Sequence, residues 1–391
     1  MRAAEILRQF NADLREVHLA RSRAVFALVQ TVISSGKLSL TSLGRAIATR
    51  TSPKHGIKRV DRLLGNVRLH AERVIFFRAI ARRVLSGNRR PVLLVDWTSV
   101  TPKLWALVAA VACEGRALIV YAESYPIARY MKPEVQGEFL RRLQRVLPGG
   151  CIPIVVTDAG FRSPWMKAVV RLGWDYVGRI RHGTVHHLRS KTWMGFGLLW
   201  RRIRTVPTDL GLFELGIRTQ YPCRLVGLRR RDGIRVPTTP KRRGFRIDKG
   251  TARQRRTALE PWTLATSLDR SASDIVGYYQ QRMQIEETFR DTKSSRFGIS
   301  MDHARTASTE RADVLLLLAA FAHLVSILVG LAAESLGLHL RHQANTVKNR
   351  RIISLARLGR LVATSCGPHP RLKWRAAWDL LTDHLPHVSI A

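Results

Sequence analysis

Between Val314 and Ala333 the chain reads VLLLLAAFAHLVSILVGLAA, twenty residues without a full charge. A helix over this stretch has no polar face to offer water. It must be surrounded, by lipid or by the core of a large protein. Three features favour the core: the stretch contains His323, it follows directly on a charged helical segment, and no second apolar span accompanies it. At 391 residues the chain is long enough to bury such a helix and to form more than one domain. A membrane protein built on 314–333 remains the alternative to a buried helix.

The charge balance narrows the partners. There are 66 Lys and Arg against 28 Asp and Glu, a formal net charge of +38. Self-repulsion on this scale calls for a polyanion, with nucleic acid first and a membrane surface second. A hydrophobic content of 46% excludes a disordered tail. The four cysteines, Cys113, Cys151, Cys223 and Cys366, show no Cys-x2-Cys spacing. They read as reduced thiols of a cytosolic protein, neither a zinc site nor a disulfide frame. No apolar segment follows a basic start at the N-terminus, so no signal peptide is expected.

The charged segment before the apolar stretch is YQQRMQIEETFRDTK, residues 279–293. On a single helix, Tyr279, Arg282, Glu286, Arg290 and Lys293 fall in one stripe roughly 80° wide. Ile275, Val276, Met283 and Phe289 flank it. Gln280, Gln281, Gln284, Thr288, Asp291 and Thr292 lie opposite, where they are expected to meet water. Inward charges are costly unless paired or liganded, so a carboxylate between cations and a tyrosine suggests a site for an anion and a metal. The plainer alternative is a helix laced with ion pairs such as Arg282 with Glu286.

In chain order, residues 1–90 read as a helical region. Ile6, Phe10, Leu14 and Val17 recur at helical spacing, as do Phe26, Val29, Val32 and Ile33. The region holds 19 Lys and Arg against 5 Asp and Glu. That suits binding of a DNA duplex through phosphates and a groove-entering helix, or a cap with a solvated basic face. Residues 91–181 read as the first part of an α/β core. A buried strand ends at Asp96, a hairpin joins 106–113 to 117–121, and a helix covers 134–147. A second buried strand ends at Asp158, followed by a helix over 164–172 and a strand over 175–180. That order matches a ribonuclease-H-like fold, in which the first and fourth strands are neighbours and Asp96 would meet Asp158. Carboxylates held that close repel and need cations. Either aspartate alone could be a turn former or a helix cap.

Residues 182–262 read as a β-rich basic insertion, with β-like runs at 210–215 and 223–228. Residues 218–256 hold 14 Lys and Arg against 2 Asp. Parts such as Lys241-Arg242-Arg243 are expected to be loops that order on phosphate. His182, His186 and His187 lack a carboxylate or cysteine at metal spacing beside them, so they point to solvent or phosphate rather than zinc. Trp262, by pattern alone, is a core or strand residue. Residues 263–335 return to the core and carry the 279–293 helix, and 336–391 form a C-terminal helical region.

The spacing Tyr-x2-Arg-x3-Glu-x6-Lys, filled by Tyr279, Arg282, Glu286 and Lys293, resembles the signature of the insertion-sequence-four family of DDE transposases. The text RMQIEETFRDTK is most similar to the cut-and-paste branch of the Tn-ten type. Further likeness lies at Asp96-Trp97-Thr98, at Val156-Thr157-Asp158-Ala159-Gly160-Phe161 and at HGIKRVDRLLGN (55–66), and it is weak through 182–260. The resemblance implies that Asp96, Asp158 and Glu286 are the catalytic residues and hold two Mg2+ ions, with Mn2+ as a substitute. It implies that Tyr279, Arg282 and Lys293, helped by Arg290, hold DNA phosphates. It also implies that Trp262, in a W-x-L-x-T stretch, stacks on a flipped base.

By the same resemblance, residues 1–90 bind transposon ends and the C-terminal region pairs two protomers as a homodimer on double-stranded DNA. The ends are cut through a hairpin and joined to target DNA. The setting is the bacterial cytoplasm and its nucleoid, without a membrane. Two readings of other kinds stand beside this one. The first is a catalytically silent DNA-binding inhibitor of transposition. The second is a ribonuclease-H-like nuclease that cuts without joining.

Overall fold

Apolar residues repeating every three or four positions, with polar residues at the starts, make the N-terminal region helical. Its helices are α1 (Ala3–Gln9), α2 (Leu19–Ser35), α3 (Leu40–Ala46), α4 (Pro53–Leu64) and α5 (Val67–Val84). The Ser39 hydroxyl accepts from the Ser42 N–H and caps α3, and the Asn66 amide oxygen accepts from the Leu69 N–H and caps α5. Pro53 opens α4, where its missing N–H costs nothing. Gly36, at φ 62°, ends α2 in the left-handed conformation.

Three strands follow: β1 (Val92–Thr101), β2 (Leu104–Cys113) and β3 (Arg116–Pro126). Glu114 and Gly115 between the last two both have positive φ, 48° and 77°, as the tight hairpin requires. Then come α6 (Pro133–Val146), β4 (Ile154–Thr157), α7 (Ser163–Arg171) and β5 (Asp175–Ile180). This is the element order expected for 91–181. Further on are β6 (Thr184–His187), β7 (Thr192–Gly195), α8 (Phe196–Arg201), β8 (Thr208–Leu215), β9 (Tyr221–Leu228) and β10 (Trp262–Thr266). The chain continues with α9 (Ala272–Gln280), α10 (Met283–Lys293), α11 (Thr309–Ser335), α12 (Leu355–Thr364) and α13 (Trp374–His384).

The structure is a computed structural model and describes residues 3–48, 52–181, 183–229, 260–365 and 374–386. His182, Cys366 and Lys241-Arg242-Arg243 lie outside the described residues. The chain divides into two compact units, Met1–Pro153 with Arg282–Ala391, and Ile154–Gln281. The protein is a mixed α/β structure.

In the first unit the strands run in the order β3-β2-β1, each antiparallel to its neighbour. Helix α11 is its centre. It is long and apolar enough to cross a membrane, yet every residue from Ala312 to Ala333 is buried inside the unit. Helices α2, α5, α12 and α13 and strand β3 pack around it. Phe321, midway along α11, meets Phe10, Phe26 and Phe76 edge to face, at 5.1, 5.7 and 6.1 Å between ring centroids. Glycines let α12 approach closely: a Cβ on Gly359 would stand 1.8 Å from the Ser326 carbonyl oxygen, and one on Gly330 2.2 Å from that of Leu355. Asp313, near the start of α11, is buried but paired. It accepts from Arg73 of α5 and, at 2.6 Å, from the Ser124 N–H of β3.

In the second unit the order is β4-β5-β10-β9-β8-β6-β7. Among the described strands of this unit only β4 and β5 are parallel, and α7 crosses between them. The β-like runs read at 210–215 and 223–228 are β8 and β9.

Two expectations are corrected. The single helix over 279–293 is two helices, α9 and α10, interrupted at Gln281 and Arg282. The Gln281 N–H bonds to Tyr278 and the Ile285 N–H to Arg282, both three residues back, so the ladder tightens and stops although no Gly or Pro is present. Asp96 is not at a strand end. Strand β1 runs on to Thr101, because Trp97, Thr98 and Ser99 keep their antiparallel partners Leu107, Ala106 and Trp105.

The packing makes two measurable claims. Gly359→Ala forces α12 off α11 and is expected to cost about 1–3 kcal/mol, read from the midpoint of urea unfolding. Burial lowers the pKa of His323 to about 4 from 6.5, so between these values the folded state binds fewer protons than the unfolded one. His323 therefore costs the protein up to about 3 kcal/mol as pH falls through that window. Asp313, pushed up to about 7 by burial, has the opposite slope, with stability falling as pH rises towards 7. Urea unfolding of wild type and His323→Leu at about pH 4.5 and about pH 7 separates the two. The wild type is expected to lose more stability than the variant on acidification.

Candidate active site

Asp96 lies in the middle of β1 with its side chain 14% exposed. Its Oδ1 accepts from the Trp97 N–H at 2.8 Å, which fixes the carboxylate and leaves Oδ2 for another partner. That partner is Arg282, at the start of α10. Its Nη1 is 3.3 Å from Asp96 Oδ2 and its Nη2 is 2.5 Å from Glu286 Oε1. One guanidinium thus joins two carboxylates that are far apart in the chain. Arg282 is 12% exposed and Glu286 is 39% exposed, so the cluster is open to solvent on the Glu286 side.

Lys293 closes α10 and reaches β1 at a different point, donating to Ser99 Oγ at 2.8 Å. Burial pushes its ammonium below the ordinary lysine pKa, and the nearby Asp302 carboxylate opposes that shift. Arg290 is 70% exposed and pairs at 2.8 Å with Glu287, one turn back on the same helix.

The uncharged polar side of α10 does not face water as expected. Gln284 Oε1 accepts from the backbone N–H groups of Cys113 at 3.0 Å and Gly115 at 3.1 Å. Thr288 Oγ1 accepts from the Ala117 N–H at 2.7 Å, and Asp291 binds Arg116 Nε at 2.6 Å. Thr288 and Thr292 are buried, while Met283 is exposed. Strand β3 is an edge strand of the first unit, and its backbone donors need partners once a helix covers them. Short polar side chains supply those partners, so this side of α10 faces the hairpin.

The remaining candidates belong to the second unit. Asp158 follows β4 directly, and its Oδ1 accepts from the Gly160 N–H at 2.8 Å in a tight turn. Trp262, at the start of β10, meets Tyr279 of α9 edge to face at 4.9 Å. Tyr279 is 3% exposed and hydrogen-bonds Arg179, whose guanidinium burial holds below the usual arginine range. The structure brings together Asp96, Arg282 and Glu286 in one unit, and Trp262 with Tyr279 in the other.

Hard oxygen donors on Asp96 and Glu286 suit a hard divalent cation, and Mg2+ commonly takes one or two carboxylates together with substrate phosphates. Among the described residues no group of three or more His, Cys, Asp or Glu gathers as a metal site. Sequence spacing missed Glu214, which stands 3.0 Å from His186 Nδ1 across the β6–β8 pair. The described thiols are held protonated by burial: Cys113 and Cys223 are pushed up to about 12 and Cys151 to about 11.

Two basic surfaces lie on the first unit. Helix α4 turns Val60, Leu63 and Leu64 inward and exposes Lys54, Lys58, Arg59 and Arg62. It crosses α3 so closely that a Cβ on Gly56 would stand 2.1 Å from the Gly44 carbonyl oxygen. A cleft of about 830 Å³ is lined by Lys37, Ser39, His303, Arg305 and Arg311 among others. Arg311 there pairs with Asp61. Neither Lys37 nor Arg305 stands out in the sequence, because the cleft joins segments far apart in the chain.

No protein of curated function matches the chain. The model of a family described as the transposase DDE domain matches residues 87–323, more than half of the chain. All eight candidate site residues, Asp96, Asp158, Trp262, Tyr279, Arg282, Glu286, Arg290 and Lys293, fall within that stretch. With Asp96 and Glu286 joined through Arg282 inside the matched region, the chain belongs to the transposases of the DDE-domain family.

Proposed function

We propose that this transposase works by cut-and-paste and belongs to the insertion-sequence-four family, near the Tn-ten type, with a ribonuclease-H-like core. The observation that carries the reading is the convergence of Asp96, in the middle of a strand, and Glu286, on a helix, at one guanidinium. Asp96, Asp158 and Glu286 are the residues to hold two Mg2+ ions, or Mn2+ in their place. Such ions supply Lewis-acid stabilisation of the attacking and leaving oxygens of an in-line displacement at phosphorus.

The chain's own side chains do the positioning. Arg282 can fork onto two phosphate oxygens, which a lysine cannot do. Lys293, at the other end of α10, brings a second cation to β1 beside Ser99. Trp262 offers a ring face to an unstacked base, worth about 1–3 kcal/mol. Water attacks first and releases a 3′-hydroxyl. That hydroxyl attacks the opposite strand to give a hairpin, a second water opens the hairpin, and the freed 3′-hydroxyl attacks target DNA. Each step exchanges one oxygen for another at phosphorus, so one constellation serves them all.

The basic face of α4 and the Lys37–Arg305 cleft are the surfaces for duplex phosphates, within residues 1–90 and beyond them. The transposase acts as a homodimer on transposon ends and target DNA, on the nucleoid of the bacterial cytoplasm.

A labelled transposon-end duplex incubated with Mg2+ tests the reading. Wild type is expected to give nicks, then hairpins, then joined products. Glu286→Ala is expected to bind the duplex and cut it at least about 1,000-fold more slowly. Equal cutting by both proteins removes Glu286 from the site. Cutting without hairpins or joining indicates a nuclease, and tight binding without cutting by wild type indicates an inhibitor.

A further inference from the structure

The fork on Arg282 has a chemical consequence for the carboxylates it holds. Asp96 Oδ2 and Glu286 Oε1 are the oxygens that a divalent cation would seek, and both already accept from the same guanidinium. The cation and the guanidinium compete for the same negative charge. We propose that Arg282 is the built-in counter-cation of this carboxylate pair. It is released when a DNA phosphate takes its guanidinium, so DNA binding and metal loading favour each other. This proposal rests on the metal-dependent reading above.

Four observations carry it. Arg282 is 12% exposed and Asp96 14%, so their attraction is less screened by water than a surface pair. Asp96 is held by the Trp97 N–H through its other oxygen, so the carboxylate keeps its place when Arg282 leaves. Arg282 itself stands at the break between α9 and α10, with the long, unbranched stem of an arginine to swing from. The other cations of α10 are engaged elsewhere, Lys293 on Ser99 and Arg290 on Glu287.

The exchange balances charge. Before it, one guanidinium faces two carboxylates. After it, a divalent cation faces the carboxylates and the guanidinium faces a phosphate. Removing Arg282 without a replacement leaves two like charges close together, and adding the ion without removing Arg282 crowds positive charge. Each event alone is disfavoured relative to the two together. By linkage, DNA must tighten metal binding by the same factor that metal tightens DNA binding.

The competing account is a structural staple, in which Arg282 only ties β1 to α10. The experiment is Mn2+ binding to the full chain, followed by the electron paramagnetic resonance of free Mn2+. Wild type, Arg282→Gln, Arg282→Lys and Asp96→Asn are compared, with and without a short DNA duplex whose own Mn2+ uptake is subtracted. Thermal melting by circular dichroism establishes that each variant is folded.

Without DNA, Arg282→Gln is expected to bind Mn2+ at least about fivefold more tightly than wild type, the lower end of ordinary coupling between sites. Arg282→Lys, which keeps the charge and loses the fork, is expected to fall between them. The duplex is expected to tighten Mn2+ binding to wild type by a similar factor and to leave Arg282→Gln nearly unchanged. Equal or weaker Mn2+ binding by folded Arg282→Gln without DNA overturns the proposal and makes Arg282 a staple. If Asp96→Asn binds Mn2+ as wild type does, the carboxylate site itself is wrong, and the metal-dependent reading falls together with the proposal.

Discussion

A helix with no polar side dictates the first unit. Helix α11 spans about 40 Å at the usual rise per residue and offers water nothing along its middle. The hydrophobic effect can be satisfied only if other elements cover every side. That requirement recruits α2 and α5 from the start of the chain, β3 from its middle and α12 and α13 from its end. Close approach matters as much as apolar character, since Gly330 and Gly359 let two backbones meet where any side chain would hold them apart. Among the polar groups buried on α11, Asp313 has an arginine and a backbone donor, whereas His323 stays neutral and its Nε2 has no hydrogen-bond partner among the described residues.

The covering of α11 also fixes the carboxylate pair. Strand β3 packs on α11, β2 pairs with β3, and β1 with β2. Asp96 is therefore held by a strand paired with β2 on both sides of it in sequence rather than by a loop, which suits a group that must keep its direction. Glu286 is fixed from the other side. Helix α10 is fastened to the β2–β3 hairpin through Gln284, Thr288 and Asp291, and all three bonds are made on the side away from Arg282 and Glu286. A helix anchored on that side turns Arg282 and Glu286 towards each other and Arg282 towards Asp96.

How far the sequence foretold this differs from element to element, for physical reasons. The three strands, the two helices and the further strands of 91–181 were legible, because each is an apolar run of the right period bounded by Gly, Pro or a polar cluster. Helix α11 was legible from its lack of polarity. The stop at Gln281 and Arg282 was not, since both residues are good helix formers and nothing local breaks the ladder. The direction of α10 was misjudged because glutamine and threonine usually face water, whereas here they meet the backbone of an edge strand. The sequence pattern ends the strand at Asp96 because Trp97-Thr98-Ser99 is less apolar than the residues before it, but antiparallel pairing carries the strand on. The lysine–arginine cleft and the His186–Glu214 pair join residues distant in sequence, and no local pattern announces such pairs.

The choice of arginine at position 282 follows from the same economy of charge. With 66 basic residues against 28 acidic ones, cations are plentiful in this chain and carboxylates are scarce. An exposed pair such as Arg290 with Glu287 is screened and contributes little, so abundance alone selects no partner. Geometry does the selecting. A lysine ammonium is a single compact charge, whereas the planar guanidinium presents two terminal nitrogens in a fixed fork and can address Asp96 and Glu286 separately. The same fork matches two oxygens of a phosphate. Two carboxylates on one side and a phosphate on the other are therefore alternative, chemically similar partners for one side chain. A partly buried arginine between them is set by charge balance to respond to whichever arrives.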